Sequence, residues 1–311
     1  MNVTIQRFTQ DQTLAWNAHN CAALNGHFLF DRAFMDYHAN RFTDASLLIS
    51  RNDTLLAALP ANIDDDTIYS HQGLTFGGLL TACLSIDATL ALFEDCLDHY
   101  RQSGARKLIY KPVPSIYHRR PAEADLYCLF RVGAELVRRD VTTTIDYRLP
   151  GELSSRRRRG VAKAQKAGLI IRTDSRWPDF WDILGQMLGE RHGVAPVHTL
   201  PEIEMLARRF PENIKLFTAE QESATVAGVV IFETPNVAHA QYIASNRQGR
   251  DVGALDFLFS TLIKTYQPTK RYFDFGISTE EGGQVLNQGL LTQKEEFGGS
   301  AVMHDTYAVA L

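Results

Sequence analysis

Cysteine is scarce and scattered. The 311-residue chain has four, Cys21, Cys83, Cys96 and Cys128, with no C-x-x-C pair and no Cys/His spacing of a metal site. That speaks against a disulfide scaffold or a zinc module and for reduced thiols in a cytoplasmic protein. No run reaches the roughly 18 apolar residues of a membrane-spanning helix, so no membrane insertion is expected. The opening MNVTIQRFTQDQ lacks the basic-then-apolar layout of a signal peptide. Excess positive charge is missing too. Against 32 Lys and Arg stand 36 Asp and Glu, a net charge of −4, which argues against a general nucleic-acid binder and against DNA as a partner. What is present is ordinary globular material, 45% apolar and 22% charged. At roughly 150 residues per domain the length predicts two domains, divided as 1–150 and 151–311.

In the first half, residues 3–8 alternate like a strand, and 10–24 and 31–40 read as helices. Residues 45–71 read as three strands broken by Arg51-Asn52-Asp53 and Asp64-Asp65-Asp66, followed by a glycine-rich loop, SHQGLTFGG (70–78). Leu90, Phe93, Leu97 and Tyr100 fall on one face of a helix over 86–102, and 107–112 is a strand. The second half repeats the plan: three strands over 214–245, a helix over 252–266 and a strand over 271–276. An offset of 164 residues superposes RKLIYK on KRYFDF, the pattern of two copies of one supersecondary unit. Between the copies, Arg156, Arg157, Arg158, Arg159, Lys163 and Lys166 form an acid-free run on a predicted helix, 154–166, capped by Ser154 or Ser155.

The repeated unit resembles the GNAT acyltransferase fold, and several motifs narrow the resemblance to its FemABX-like branch, whose members carry two such domains. DFGISTEEGGQVLNQGLLTQKEEFGG (274–299) resembles the D-F-G-x-S-T-E … L-N-x-G-L … K-x-x-F-G pattern of transferases associated with bacterial surface polysaccharides. SHQGLTFGG resembles that group's S-H-x-G-x-T-Y-G-G segment, and RRGVAKAQKAGL (158–169) its basic R-x-x-x-x-K-A-x-K-x-G segment. The fold class implied is α+β, mixed α/β, with two tandem GNAT-like domains, each a mostly antiparallel sheet flanked by helices. GNAT enzymes hold the donor pyrophosphate through R/Q-x-x-G-x-G/A at a helix N-terminus. The matching residues here are Arg250, Val252, Gly253 and Ala254, with Leu255 departing from the last small position.

Acyl transfer to an amine needs a neutral nucleophile, a base and donors for the developing oxyanion, and no metal. Glu280, just past a strand end beside Ser278 and Thr279, fits a general base and equally a capping or solvated loop acid. Asp274 lies opposite Phe273 and Phe275 on a strand, where a carboxylate contacts substrate or makes a buried hydrogen bond. Lys294 reads as a surface lysine paired with Glu295 or Glu296. The resemblance implies instead a cation near the acyl carbonyl and leaving group. His71, Thr75 and Gly77 in the glycine-rich loop suit contact with a hydroxylated acceptor, although a lone histidine is commonly structural. Arg156, Arg159, Lys163 and Lys166 share one helical face, which fits phosphate or merely a solvated surface.

Together these readings predict an N-acyltransferase. The donor would be acetyl-CoA or another acyl-CoA, and the acceptor an amine on a small molecule or carrier, such as an amino sugar. Two alternatives stand beside it: a Fem-type ligase using aminoacyl-tRNA, and a catalytically inactive binding module with a degenerate donor loop.

Overall fold

The computed structural model describes residues 3–311. Its contacts divide the chain into two compact units. One holds the residues up to Asp140 together with 281–284 and 303–311, and the other holds 141–280 and 285–302. The chain end thus groups with the first unit.

In the first unit, Thr4–Arg7, Leu47–Arg51, Thr54–Leu59 and Leu80–Thr81 form an antiparallel sheet in that order. Asn52 and Asp53, at φ 48° and 61°, supply the two left-handed positions of its tight hairpin. The three strands predicted over 45–71 are four, because Pro60 lacks the N–H a continuing ladder would need. After Pro60 the chain pairs Asn62–Asp64 with Thr43–Asp44 and with Thr67–Tyr69. Thr67–Tyr69 then runs parallel to Lys107–Tyr110, whose other edge takes Tyr307–Ala310. Helix Ile86–Gln102 buries Leu92, Phe93, Cys96, Leu97 and Tyr100 at helical spacing. The helix predicted over 10–24 is Thr13–Ala22 behind a 3-10 turn, and that over 31–40 is Arg32–Met35 with a further 3-10 turn.

A carboxyl group is buried in this core. Asp125 accepts a hydrogen bond from the Tyr110 hydroxyl at 2.8 Å, and burial pushes its pKa up to about 6. Between pH 4 and 6 the folded state therefore holds a proton that the unfolded chain has lost, so stability falls as pH rises through that window. Asp125→Asn removes the charge and should be stabilised relative to wild type by roughly 3 kcal/mol at pH 8, and far less at pH 4. Urea midpoints at the two pH values check this.

The second unit is a sheet in the order Ile170–Thr173, Ile214–Gln221, Ala224–Glu233, Val237–Ser245, Tyr272–Ile277, then the strand Glu135–Asp146 from residue 141 on. Glu222 and Ser223, at φ 49° and 69°, make its first hairpin at the predicted turn. Helix Ala254–Tyr266 buries Leu258, Phe259, Leu262 and Tyr266 on this sheet, against Phe273 and Phe275 among others. The helix predicted over 252–266 is broken, because Gly253 at φ +79° separates Arg247–Val252 from Ala254–Tyr266. Each unit thus layers helices on a largely antiparallel sheet, giving the mixed α/β class. Among the described residues no helix is long and apolar enough to cross a membrane.

Candidate active site

Val237–Ser245 and Tyr272–Ile277 run parallel, but their ladder covers only Val237–His239 against Tyr272–Asp274. Both strands continue past that point with irregular registers. Val237–Ser245 skips Gln241 against Val230 and Ile231, and Tyr272–Ile277 shifts between Asp274 and Ile277 against Glu135–Asp146. An extra residue in a strand bends it and frees backbone groups from the ladder. Gly276, at φ +76°, is the residue that permits the second irregularity. Freed amides beside buried polar side chains are the raw material of an oxyanion site.

The last ladder pair is chemically loaded. Asp274 has no solvent exposure. One oxygen faces His239 Nδ1 at 2.7 Å, and the other accepts from Thr144 Oγ1 at 3.0 Å and from the Gly276 amide at 3.3 Å. Lys294, 5% exposed, projects from helix Gln288–Glu295, which Asn287 caps by accepting the Leu290 amide. Its Nζ donates to the carbonyls of Gly276 at 2.8 Å and Ile277 at 2.6 Å. An ammonium has three donors, so two carbonyls fix it and leave one N–H to aim. Burial lowers the Lys294 pKa to about 8, with the Asp274 charge opposing the fall. This lysine is not the solvated Glu295 or Glu296 partner that its sequence suggests. Next to the carbonyls that hold it, Ser278 is buried, and its hydroxyl has no hydrogen-bond partner among the described residues.

The predicted residues do not all converge. Asp274, Lys294 and Ser278 lie together. Glu280 and Thr279 follow on a short hairpin with Val285–Leu286. Glu280 is exposed and accepts the Asn287 side-chain amide at 2.7 Å, so it braces the cap of the lysine-bearing helix. His239 and Thr144 were not singled out from sequence. The signal for His239 is its register opposite Asp274, which requires knowing that the two strands are neighbours.

The predicted donor loop is folded up. Asn246 caps Arg247–Val252 by accepting the Gly249 amide at 2.8 Å, and Arg250 donates to the Ser245 carbonyl at 2.8 Å while staying exposed. Val252 packs on the core of the second unit, and Ala254 is buried. A Cβ on Gly253 would lie 2.7 Å from the Gly160 carbonyl, so the basic helix covers this turn closely. The segment is therefore a short helix closed at Gly253, which is also the N-cap of Ala254–Tyr266.

The basic helix is Ser155–Lys166, with Ser154 as its cap. Its inward side is Arg157, Gly160 and Ala164. Arg157 is 8% exposed and pairs with Asp256 at 2.6 Å and Glu296 at 2.7 Å. Arg156, Arg159, Lys163 and Lys166 are exposed. Arg156 comes within 3.8 Å of Glu296.

In the first unit, the SHQGLTFGG loop is packed rather than open. His71, at φ +77°, is 3% exposed and stacks on His38 with ring centroids 5.4 Å apart. Burial, together with His38, Lys111 and Arg32, pushes its pKa down to about 3, so it is neutral at physiological pH. Gly77 is buried, and a Cβ there would collide with the Ser70 carbonyl at 1.8 Å. Thr75 and Gln72 are the loop's exposed side chains. On the last strand, Asp305 binds Arg139 through two hydrogen bonds of 2.7 Å, and His304 lies against Phe76 and Tyr117.

Residues 153–281 match the acetyltransferase (GNAT) domain family. No curated protein matches the chain by sequence. Among solved structures, FemX is similar over 99% of this chain and 97% of its own, at 12% identity and a TM-score of 0.70. L-PGS from Bacillus licheniformis is similar over 82% of this chain and 81% of its own, at 11% identity and a TM-score of 0.57. A tandem GNAT protein from the clavulanic acid biosynthesis pathway covers 99% of this chain and 98% of its own, at 11% identity and a TM-score of 0.52. Residues 153–281 are therefore a GNAT acetyltransferase domain, within a chain that has the Fem-like tandem GNAT fold.

Proposed function

We propose that this chain is a cytoplasmic N-acyltransferase that moves an acetyl or similar acyl group from a coenzyme A thioester to an amine by direct attack. The observation that carries the reading is the cluster at the end of the parallel ladder. There Lys294, fixed by two carbonyls with one donor to spare, sits beside bulged strands and the buried Asp274. A positioned cation is one of the donors that a tetrahedral oxyanion requires. The Ser278 hydroxyl, which has no hydrogen-bond partner among the described residues, suits contact with donor or acceptor. The acceptor we assign is an amine on a small molecule or carrier, in particular an amino sugar of a surface-polysaccharide pathway. That assignment follows the resemblance of the 274–299 segment.

A second reading, with aminoacyl-tRNA as donor, is favoured by two observations. The 247–252 segment is helical, and five cations, Arg156, Arg158, Arg159, Lys163 and Lys166, stand exposed on Ser155–Lys166. Thermal shift and transfer assays with acyl-CoA thioesters and with charged tRNA separate the two. Under the thioester reading, coenzyme A raises the melting temperature and ribonuclease leaves activity unchanged. Activity that disappears with ribonuclease sinks it. The double variant Arg159→Ala, Lys163→Ala adds a graded test. If RNA is the donor, the slope of log affinity against log salt should fall by about one per lost phosphate contact. If coenzyme A is the donor, tRNA binding is weak in wild type and variant alike.

A further inference from the structure

We infer that His239 is the group that takes the proton from the attacking amine, held in the required tautomer by Asp274. The inference rests on the acyl-transfer reading above and names a residue for it. His239 occupies the last ladder position before the two strands continue with irregular registers, opposite Asp274. Its Nδ1 meets Asp274 at 2.7 Å, while the other Asp274 oxygen is occupied by Thr144 and the Gly276 amide. Three donors on a carboxylate with no solvent exposure leave it little freedom to turn. The ring therefore gives Nδ1–H to the carboxylate and keeps its lone pair on Nε2, the arrangement of an oriented general base.

The lone pair has a way out. The ring retains 13% exposure, and its Cε1, the atom next to Nε2, lies 3.5 Å from where a side chain on residue 276 would begin. Residue 276 is glycine at φ +76°, so no side chain from that residue covers this edge. The same glycine's carbonyl receives Lys294 at 2.8 Å. One residue thus links the proposed proton acceptor to the proposed oxyanion donor. Glu280, by contrast, is exposed and engaged by Asn287.

The chemistry balances. The amine lone pair attacks the acyl carbonyl carbon, forming the C–N bond and placing charge on oxygen. The N–H proton passes to His239 Nε2. Collapse breaks the C–S bond, and the thiolate takes the proton from the imidazolium and leaves as a thiol. With an ester donor, the C–O bond breaks and an alcohol leaves. Asp274 is a positioning residue throughout.

Two measurements test this. Nitrogen-15 spectra of histidine-labelled protein, with His239 identified by loss of its signals in His239→Gln, should show the Nδ1–H tautomer. Asp274→Asn should shift that population toward Nε2–H. In transfer assays His239→Gln should lose about 100-fold or more in kcat, with donor affinity close to wild type, and Asp274→Asn should lose kcat in the same sense. An Nε2–H tautomer in wild type overturns the inference, as does His239→Gln turning over at the wild-type rate. A wild-type protein that neither binds nor uses any thioester or ester donor overturns the acyl-transfer reading and this assignment together. The wild-type spectrum needs no turnover, so the tautomer it shows decides the inference even if Asp274→Asn folds poorly.

Discussion

Lys294→Ala is expected to lower kcat by about 100- to 1000-fold, the cost of removing one oxyanion donor, while donor affinity changes little. The reason is positional. Lys294 is held by the Gly276 and Ile277 carbonyls, so its remaining N–H points where the surrounding structure directs it. The pH dependence gives the prediction a second signature. With a pKa near 8, the lysine loses its charge at a pH where an ordinary lysine keeps it. The wild-type rate should therefore fall as pH rises through about 8. Stability responds in the opposite direction. Between pH 8 and 10.5 the unfolded chain binds a proton at this side chain that the folded state does not, so the site's contribution to stability rises with pH in that window. Lys294→Gln keeps a donor, abolishes the titration and should remove both effects, the descending rate limb and the rise in stability. Comparison with wild type isolates Lys294 from Lys111, whose pKa is also pushed down to about 8 by burial. A Lys294→Gln protein with an unchanged descending limb would remove the cation from the mechanism.

Much of the architecture was legible because its causes are local. Hairpins with two consecutive left-handed residues announce themselves as Asn52-Asp53 and Glu222-Ser223. The faces of Ile86–Gln102 and Ala254–Tyr266 follow from apolar spacing alone. The split at Pro60 was readable in principle, but weighing it against a β-rich run needs the sheet partners. The site was only half legible. Asp274 and Lys294 stand in a motif, yet the sequence could not say that a lysine followed by two glutamates points inward. That depends on Asn287 setting the start of an eight-residue helix. His239 lies 35 residues from Asp274, and only the parallel pairing brings them opposite. The donor loop shows the converse limit. Arg250, Gly253 and Ala254 match a pattern, but Asn246 caps the segment into a helix and the Gly160 backbone closes over Gly253.

The basic helix is where a local reading misleads most, and it carries the largest stability prediction. Six cations in eleven residues suggest a surface, and for Arg156, Arg159, Lys163 and Lys166 that holds. Arg157 is different. Its guanidinium bridges Asp256, in the first turn of Ala254–Tyr266, and Glu296, two residues beyond Lys294, and it lies 5.4 Å from the centre of the Phe297 ring. The helix can approach so closely because residue 160 is glycine; a Cβ there would lie 1.8 Å from Asp256 Oδ2. Removing one member of a buried ion cluster strands the others, at a cost of about 3–5 kcal/mol. Arg157→Ala leaves two carboxylates, 15% and 20% exposed, without their shared cation. It should lose stability on that scale, whereas Arg159→Ala and Lys163→Ala should stay within about 0.5 kcal/mol of wild type. Arg157→Lys should recover part of the loss, since one ammonium cannot fork between two acids as a guanidinium does. Urea unfolding of the four variants decides it. Equal stability of Arg157→Ala and Arg159→Ala would reduce the helix to a charged surface. A selective loss at Arg157 would make it a clamp that ties the first turn of Ala254–Tyr266 to the segment bearing Lys294, with the exposed cations turned to solvent, where phosphate would meet them.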